Sequence, residues 1–184
     1  MSWIILIVAA GALVYVVVVF NRLVRTRQMA NEAWSGIDVQ LKRRSDLIPN
    51  LVDSVKSYAA HERDVLTKVT ELRGAARALP ADAVAQRAAA ETALTAALGR
   101  LVVMAEAYPD LKASGNFLKL QQQLSDMESE IQMARRYYNG AVRNLNILIE
   151  SFPSNLAARL FGFTRIDFFE LDDAAERAAP AVSV

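Results

Sequence analysis

Residues 117–152 read FLKLQQQLSDMESEIQMARRYYNGAVRNLNILIESF. Within them Phe117, Leu120, Leu124, Met127, Ile131, Ala134, Tyr138, Ala141, Leu145, Leu148 and Phe152 recur at intervals of 3 and 4 without a miss. A helix turns once every ~3.6 residues, so this alternation places the apolar groups on one face, whereas a strand needs every second residue apolar. The stretch predicts one helix of roughly 35 residues, about 50 Å long. Such a stripe is stable only when another helix covers it, so the fold it dictates is a bundle.

The same rhythm runs through Ala30, Trp34, Ile37, Leu41, Ile48, Leu51, Val55, Tyr58, Val65, Val69 and Leu72. Filling its two gaps lands on Arg44 and Glu62, which puts charges on a core line. Pro49 lies inside the line and removes one backbone hydrogen bond, so the expectation is one kinked helix from about 30 to 75. A third, alanine-rich helix is expected over Ala81–Tyr108, with Leu94, Leu98, Leu101, Ala105 and Tyr108 in line. Leu79-Pro80 opens it and Tyr108-Pro109-Asp110 closes it. After Pro153, Ser154 to Phe161 suits two helical turns ended by Gly162, and Phe163 to Leu171 suits an extended segment. Residues 172–184 carry no apolar rhythm and read as a mobile tail.

Apolar residues make up 53% of the 184-residue chain, above the ~45–50% of a soluble domain. The excess sits at the start, where every one of the first twenty residues except Ser2 and Gly11 is apolar. Trp3 to Phe20 forms an uncharged run about 27 Å long as a helix, close to the ~30 Å of a bilayer's hydrocarbon. It has no basic residue before it and no small-residue cleavage site after it, which favours a retained span over a cleaved signal. Arg22, Arg25 and Arg27 follow at once, with Lys42, Arg43 and Arg44 further on. The positive-inside rule then places the N-terminus outside and the rest in the cytoplasm. The expected architecture is therefore all-α: an N-terminal transmembrane helix (1–21), then an elongated antiparallel bundle of three long helices plus a short C-terminal helix (22–171). Residues 22–44 form a membrane-proximal stalk of that bundle.

Composition argues against most chemistry. There are no cysteines, which excludes disulfides, thiolate metal sites and thiol nucleophiles. The formal charge of +1 lacks the basic excess of a nucleic-acid surface. His61-Glu62 begins like a zinc-protease helix, but Val65 stands where the second histidine belongs. One histidine cannot furnish the two Glu-x-x-His pairs of a di-iron bundle. Ligation by Glu62, Glu91, Glu106 and Glu128 alone is disfavoured, since helix carboxylates are usually solvated. No serine has a nucleophile elbow, and the glycines are isolated rather than gathered in a phosphate loop. No catalytic, cofactor or metal residue is assigned, and the chain is not read as an enzyme.

Buried polarity stands out instead. With turns near 76 and 112, counting down antiparallel helices brings Arg44 close to Asp110 and His61 level with Glu128. Arg44, Asp110, His61, Glu62 and Glu128 are thus the expected structural polar layer, with Asn50, Asn139 and Asn146 nearby. The same count leaves the stalk below the second and third helices. Its Ala30, Trp34, Ile37 and Leu41 would then meet neighbouring copies, so Trp34, Ile37 and Leu41 are the expected oligomer contacts. Ile37, Leu47, Val52, Leu66 and Ile147 cannot all point along these single lines, giving surplus apolar surface.

Residues 33–52, AWSGIDVQLKRRSDLIPNLV, strongly resemble the bacterial LemA family. The resemblance continues through Val55-Lys56-Ser57-Tyr58-Ala59, His61-Glu62, Glu106-Ala107-Tyr108-Pro109-Asp110-Leu111-Lys112, Asn116-Phe117, Arg135-Arg136-Tyr137-Tyr138-Asn139 and Phe152-Pro153. It covers residues 1 to about 170. It departs at Ser129, where the family often has asparagine after the glutamate. The resemblance implies a bundle anchored in the bacterial inner membrane by a single N-terminal span, without an established catalytic activity. Some relatives look like membrane-shaping proteins, including one in magnetosome formation, and others resemble partners of membrane metallopeptidases in stress systems. The expected function is a non-enzymatic, self-assembling protein that organises or shapes the lipid bilayer. The alternative is an adaptor that recruits another membrane protein such as a metallopeptidase.

Overall fold

A computed structural model describes residues 1–59 and 61–170. Among them every regular element is an α-helix: α1 (Ser2–Lys56), α2 (Arg63–Ala78), α3 (Val84–Ala105), α4 (Pro109–Lys112), α5 (Gly115–Glu150) and α6 (Ser154–Leu160). The all-α architecture is the expected one, and α5 matches the helix read from residues 117–152. Gly162 follows α6 with φ of 70°, the left-handed conformation that suits glycine at a helix end. Residues 163–170 have no regular secondary structure. Leu171 and the expected tail, 172–184, lie outside the described residues.

The helices contribute to two compact units. One is built on Asp38–Gln132 and holds the end of α1, then α2, α3 and the start of α5. Leu66 and Arg63 of α2 lie beside Val52 and Lys56, while Arg73 Nε donates to the Ser45 carbonyl at 2.6 Å, so α2 runs antiparallel to α1. Arg87 of α3 pairs with Asp38 and Glu91 with Arg44, so α3 runs parallel to α1. After α4 the chain reverses once more into α5. Ile48, Leu51, Val55, Val69, Leu94, Leu98, Leu101 and Phe117 fill the centre. Each fully buried Leu, Ile, Val or Phe there contributes roughly 1.5–3 kcal/mol.

The other unit joins Met1–Ile37 to Met133–Phe168. Its core gathers Val19, Leu23, Leu145, Ala157 and Ala158, with Phe163 and Ile166 packed against them. The Trp34 and Tyr138 rings lie 5.3 Å apart. By contrast, Trp3, Ile4, Ile5, Leu6, Ile7 and Val8 are exposed. This apolar part of α1 is a candidate membrane span. Helix α3 is also long and apolar enough, but Leu94, Leu98 and Leu101 commit it to the bundle core.

Three expectations are corrected. The continuous helix over 30–75 is two helices: α1 begins at Ser2 and ends at Lys56, and α2 begins at Arg63. Tyr58 N–H bonds the Val55 carbonyl at 3.0 Å, a tightened final turn, and the chain folds back. A seam is blind to such a reversal, because both arms of a helical hairpin turn the same kind of stripe to the core. The bundle accordingly has four helical segments in place of three. Pro49 sits inside α1, and the alanine-rich helix starts at Val84, leaving Pro80 in the connection.

The stalk is the third correction. Leu23, Ala30, Ile37 and Leu41 are buried within their own chain, and Trp34 is half-buried against Tyr138. Leu41 lines a cleft with Ala76 of α2 and Leu94 of α3, because α3 reaches back as far as the Arg87–Asp38 pair, while Tyr138 of α5 stands against Trp34. Trp34, Ile37 and Leu41 are therefore intrachain core or aromatic contacts, not open contacts for a second copy.

Candidate functional site

The Asp38–Gln132 unit holds a charged layer at its centre. Arg44 occupies the seam position between Leu41 and Ile48, which forces its guanidinium inward, and it is fully buried. On α3, Glu91 continues the line of Leu94, Leu98 and Leu101 one step back, and it too is buried. Glu128 and Thr95 flank the seams of α5 and α3. Arg44 Nη2 pairs with Glu91 Oε2, while Nη1 donates to Glu128 Oε2 at 2.7 Å and to Thr95 Oγ1 at 2.8 Å. The planar guanidinium is the side chain suited to such a task, since it presents several fixed donors and stays charged when buried. One cation thus ties three helices in register.

A cleft of about 190 Å³ adjoins the layer, with Asp38, Ser45, Arg77, Arg87 and Glu91 on its walls. Asp38 accepts from Arg87 at 2.5 Å, and the more exposed Arg77 reaches Asp46 at 3.2 Å. Among the described residues no group of three or more His, Cys, Asp or Glu is placed to hold a metal ion. The layer supplies charge pairing between helices.

The expected polar residues are distributed differently. Arg44 and Glu128 come together. Asp110 is exposed in the first turn of α4 and does not pair with Arg44, whose Nη1 and Nη2 donate to Glu91, Glu128 and Thr95. His61 is exposed in a turn ahead of α2 and does not meet Glu128, because the reversal between α1 and α2 takes it out of the helix. Glu62 leaves the seam for the same reason and accepts a hydrogen bond from Tyr108 Oη at 3.1 Å. Burial, then the adjacent Glu62, raises the Tyr108 phenol above its ordinary pKa. Glu91 and Thr95 were not anticipated as partners of Arg44. The signal for Glu91 is its spacing of three from Leu94; Thr95 gave none.

A second polar cluster lies in the other unit, where α5 holds the segment after α6. Asn146 is buried, donates through Nδ2 to the Ile166 carbonyl at 2.9 Å and accepts the Ile166 N–H at 3.1 Å. Tyr138 is buried eight residues earlier and donates to the Asp167 carbonyl at 2.9 Å. Burial first, then the Asp167 charge, pushes the Tyr138 phenol up to about 12 from 10.0. The folded state therefore holds this proton more tightly than the unfolded one. Its contribution is complete below pH ~10 and is lost as pH climbs from there toward ~12. Tyr138→Phe is expected to cost about 1 kcal/mol at neutral pH through the lost hydrogen bond. It should also flatten the stability loss above pH ~10 and remove a phenolate absorbance step near pH 12. Unfolding curves at several pH values, with an ultraviolet titration, check both.

The LemA family model matches residues 33–184. The chain is 28% identical to Protein LemA of Metamycoplasma hominis, over 83% of this chain and 69% of that protein. It is 25% identical to Magnetosome protein MamQ of Magnetospirillum gryphiswaldense, over 82% of this chain and 64% of the relative. Magnetosome protein MamQ 2 of Paramagnetospirillum magneticum is 26% identical over 82% of this chain and 64% of its own length. The chain thus spans a little under two thirds of the MamQ proteins it matches. With helices carrying the charged layer and a family model covering most of its length, the chain belongs to the LemA family.

Proposed function

We propose that this protein is a non-enzymatic membrane scaffold, anchored through residues 3–20 with its bundle in the cytoplasm, that self-assembles to organise the bilayer. The observation that supports self-assembly is a second seam on α5. Met133, Tyr137, Gly140, Asn144 and Ile147 follow one another at spacings of 4, 3, 4 and 3. They lie on a face turned from the buried stripe of Ile131, Tyr138 and Leu145. Met133, Tyr137 and Ile147 are 47%, 58% and 52% exposed, and a side chain added at Gly140 would meet nothing within 4 Å. Heptad spacing around a small residue is the geometry that lets a copy of the same helix approach closely. Self-association through this seam replaces the stalk residues as the means of assembly. The magnetosome naming of the MamQ relatives is consistent with a role at a membrane.

Purified full-length protein in lipid nanodiscs is expected to contain assemblies larger than the 20.3-kDa protomer. Tyr137→Glu combined with Ile147→Glu should reduce them to single protomers while leaving the thermal midpoint nearly unchanged, because both side chains are exposed. Light scattering of the two proteins is the measurement. A wild-type protein that stays monomeric at high concentration would refute self-assembly. The adaptor reading has its own support in a shallow groove between α3 and α5, lined by Leu98, Gly99, Val102 and Leu124. It gains ground if the monomer copurifies with one membrane protein and Val102→Glu abolishes that capture.

A further inference from the structure

We propose that α6 and its flanks form a lipid-facing collar, which seats the unit of Met1–Ile37 and Met133–Phe168 on the membrane surface where α1 enters it. This rests on the reading of residues 3–20 as a span. The level of α6 along α1 is set by its contacts. Ala157 and Ala158 pack with Val19 and Leu23, and the Phe161 ring lies 4.7 Å from that of Phe20, with Phe163 at 6.0 Å. Phe20 ends the apolar run and Arg22 begins the basic stretch. These contacts therefore hold α6 at the turn where hydrocarbon gives way to head groups.

At that level the outer surface is apolar. Phe152, Leu156, Leu160 and Phe161 are 80%, 59%, 72% and 45% exposed. Leu156 and Leu160 are four residues apart and so share a helix face, while Ala157 and Ala158 turn to the core. Large apolar and aromatic groups beside the end of a span are stabilised by the interfacial region rather than by water.

Charge selects lipid over a second copy as the occupant. Residues 19–27 and 150–165 carry Arg22, Arg25, Arg27, Arg159 and Arg165 against one acid, Glu150, which pairs with Arg165 at 3.0 Å. A second copy docked here would bring the same cations face to face. Anionic head groups would complement them. The span and the collar together give this unit two attachments, which restrain it from rocking on its anchor.

The absence of cysteine allows a direct test with the full chain. Leu156→Cys, Leu160→Cys, Ala10→Cys and Val103→Cys, each carrying a nitroxide, are reconstituted in phosphatidylcholine–phosphatidylglycerol vesicles. Collision of the nitroxide with oxygen, which concentrates in lipid, is compared with collision with a water-soluble nickel chelate. The expected result is an oxygen-dominated signal at positions 156 and 160, weaker than at position 10, and a chelate-dominated signal at position 103. Chelate dominance at 156 and 160 with position 10 still in lipid would overturn the collar and leave the anchor intact. Low access to both reagents at 156 and 160 would overturn it in favour of protein contact. Chelate dominance at position 10 would remove the anchor and the collar together. Ser154 and Ala157 are left unchanged throughout, so packing of α6 on α1 is not disturbed.

Discussion

Arg44→Ala is expected to lower folding stability by about 3–5 kcal/mol, a fall in Tm of roughly 6–20 °C at ~2–4 °C per kcal/mol. The loss has a specific source. Glu91 is almost fully buried and faces the Arg44 guanidinium, whereas Glu128 is partly exposed and can recover water. Removing the arginine leaves the Glu91 carboxylate in the core with its desolvation cost and no counter-charge. Arg44→Met together with Glu91→Met removes both charges and keeps the volume, so it should regain most of the loss. Arg44→Lys should fall between, because an ammonium cannot match the geometry of donors aimed at Glu91, Glu128 and Thr95. Thermal unfolding of the detergent-solubilised chain, followed by circular dichroism, gives all three values. Strict additivity of the two single methionine variants would show that the charges do not act as a pair.

Asn146→Ala is expected to release the segment over 163–168 from α5, at a cost of about 2–4 kcal/mol. The side-chain amide serves Ile166 as a neighbouring strand would, taking its N–H and giving to its carbonyl, and Asn146 itself is buried. Alanine leaves two backbone groups of Ile166 without their partner, which favours lifting of the segment into water. The measurement is amide hydrogen exchange. Exchange at Ile166 should accelerate strongly in the variant, while amides in the middle of α5 keep their protection. Unchanged protection at Ile166 would show that other contacts hold the segment. Asn146→Asp should behave much like Asn146→Ala, since it keeps an acceptor for the N–H but sets a charge against the Ile166 carbonyl.

Much of this protein is local and therefore legible in its sequence. The spacing of Phe117 to Phe152 determines α5, since a stripe at helical spacing depends only on residues within one helix. The apolar run of residues 3–20 marks a candidate span by length and composition alone. Arg44 betrays a charged core because it falls between Leu41 and Ile48 on the seam. The path of the chain was different in kind. Nothing in the rhythm from Ala30 to Leu72 distinguishes one long helix from a hairpin, and the reversal between α1 and α2 decides everything counted from it. Once α2 folds back, His61 and Glu62 leave the core line, and Asp110 is left exposed. The partners of Arg44 become Glu91 and Thr95 on α3 and Glu128 on α5. The burial of Ile37 and Leu41 and the half-burial of Trp34 likewise follow from where the later helices run beside α1. A sequence encodes which face of each helix seeks cover, because that is set by a repeat of a few residues. Which helix provides the cover depends on where the chain turns and how the helices align, and only the packed structure settles that.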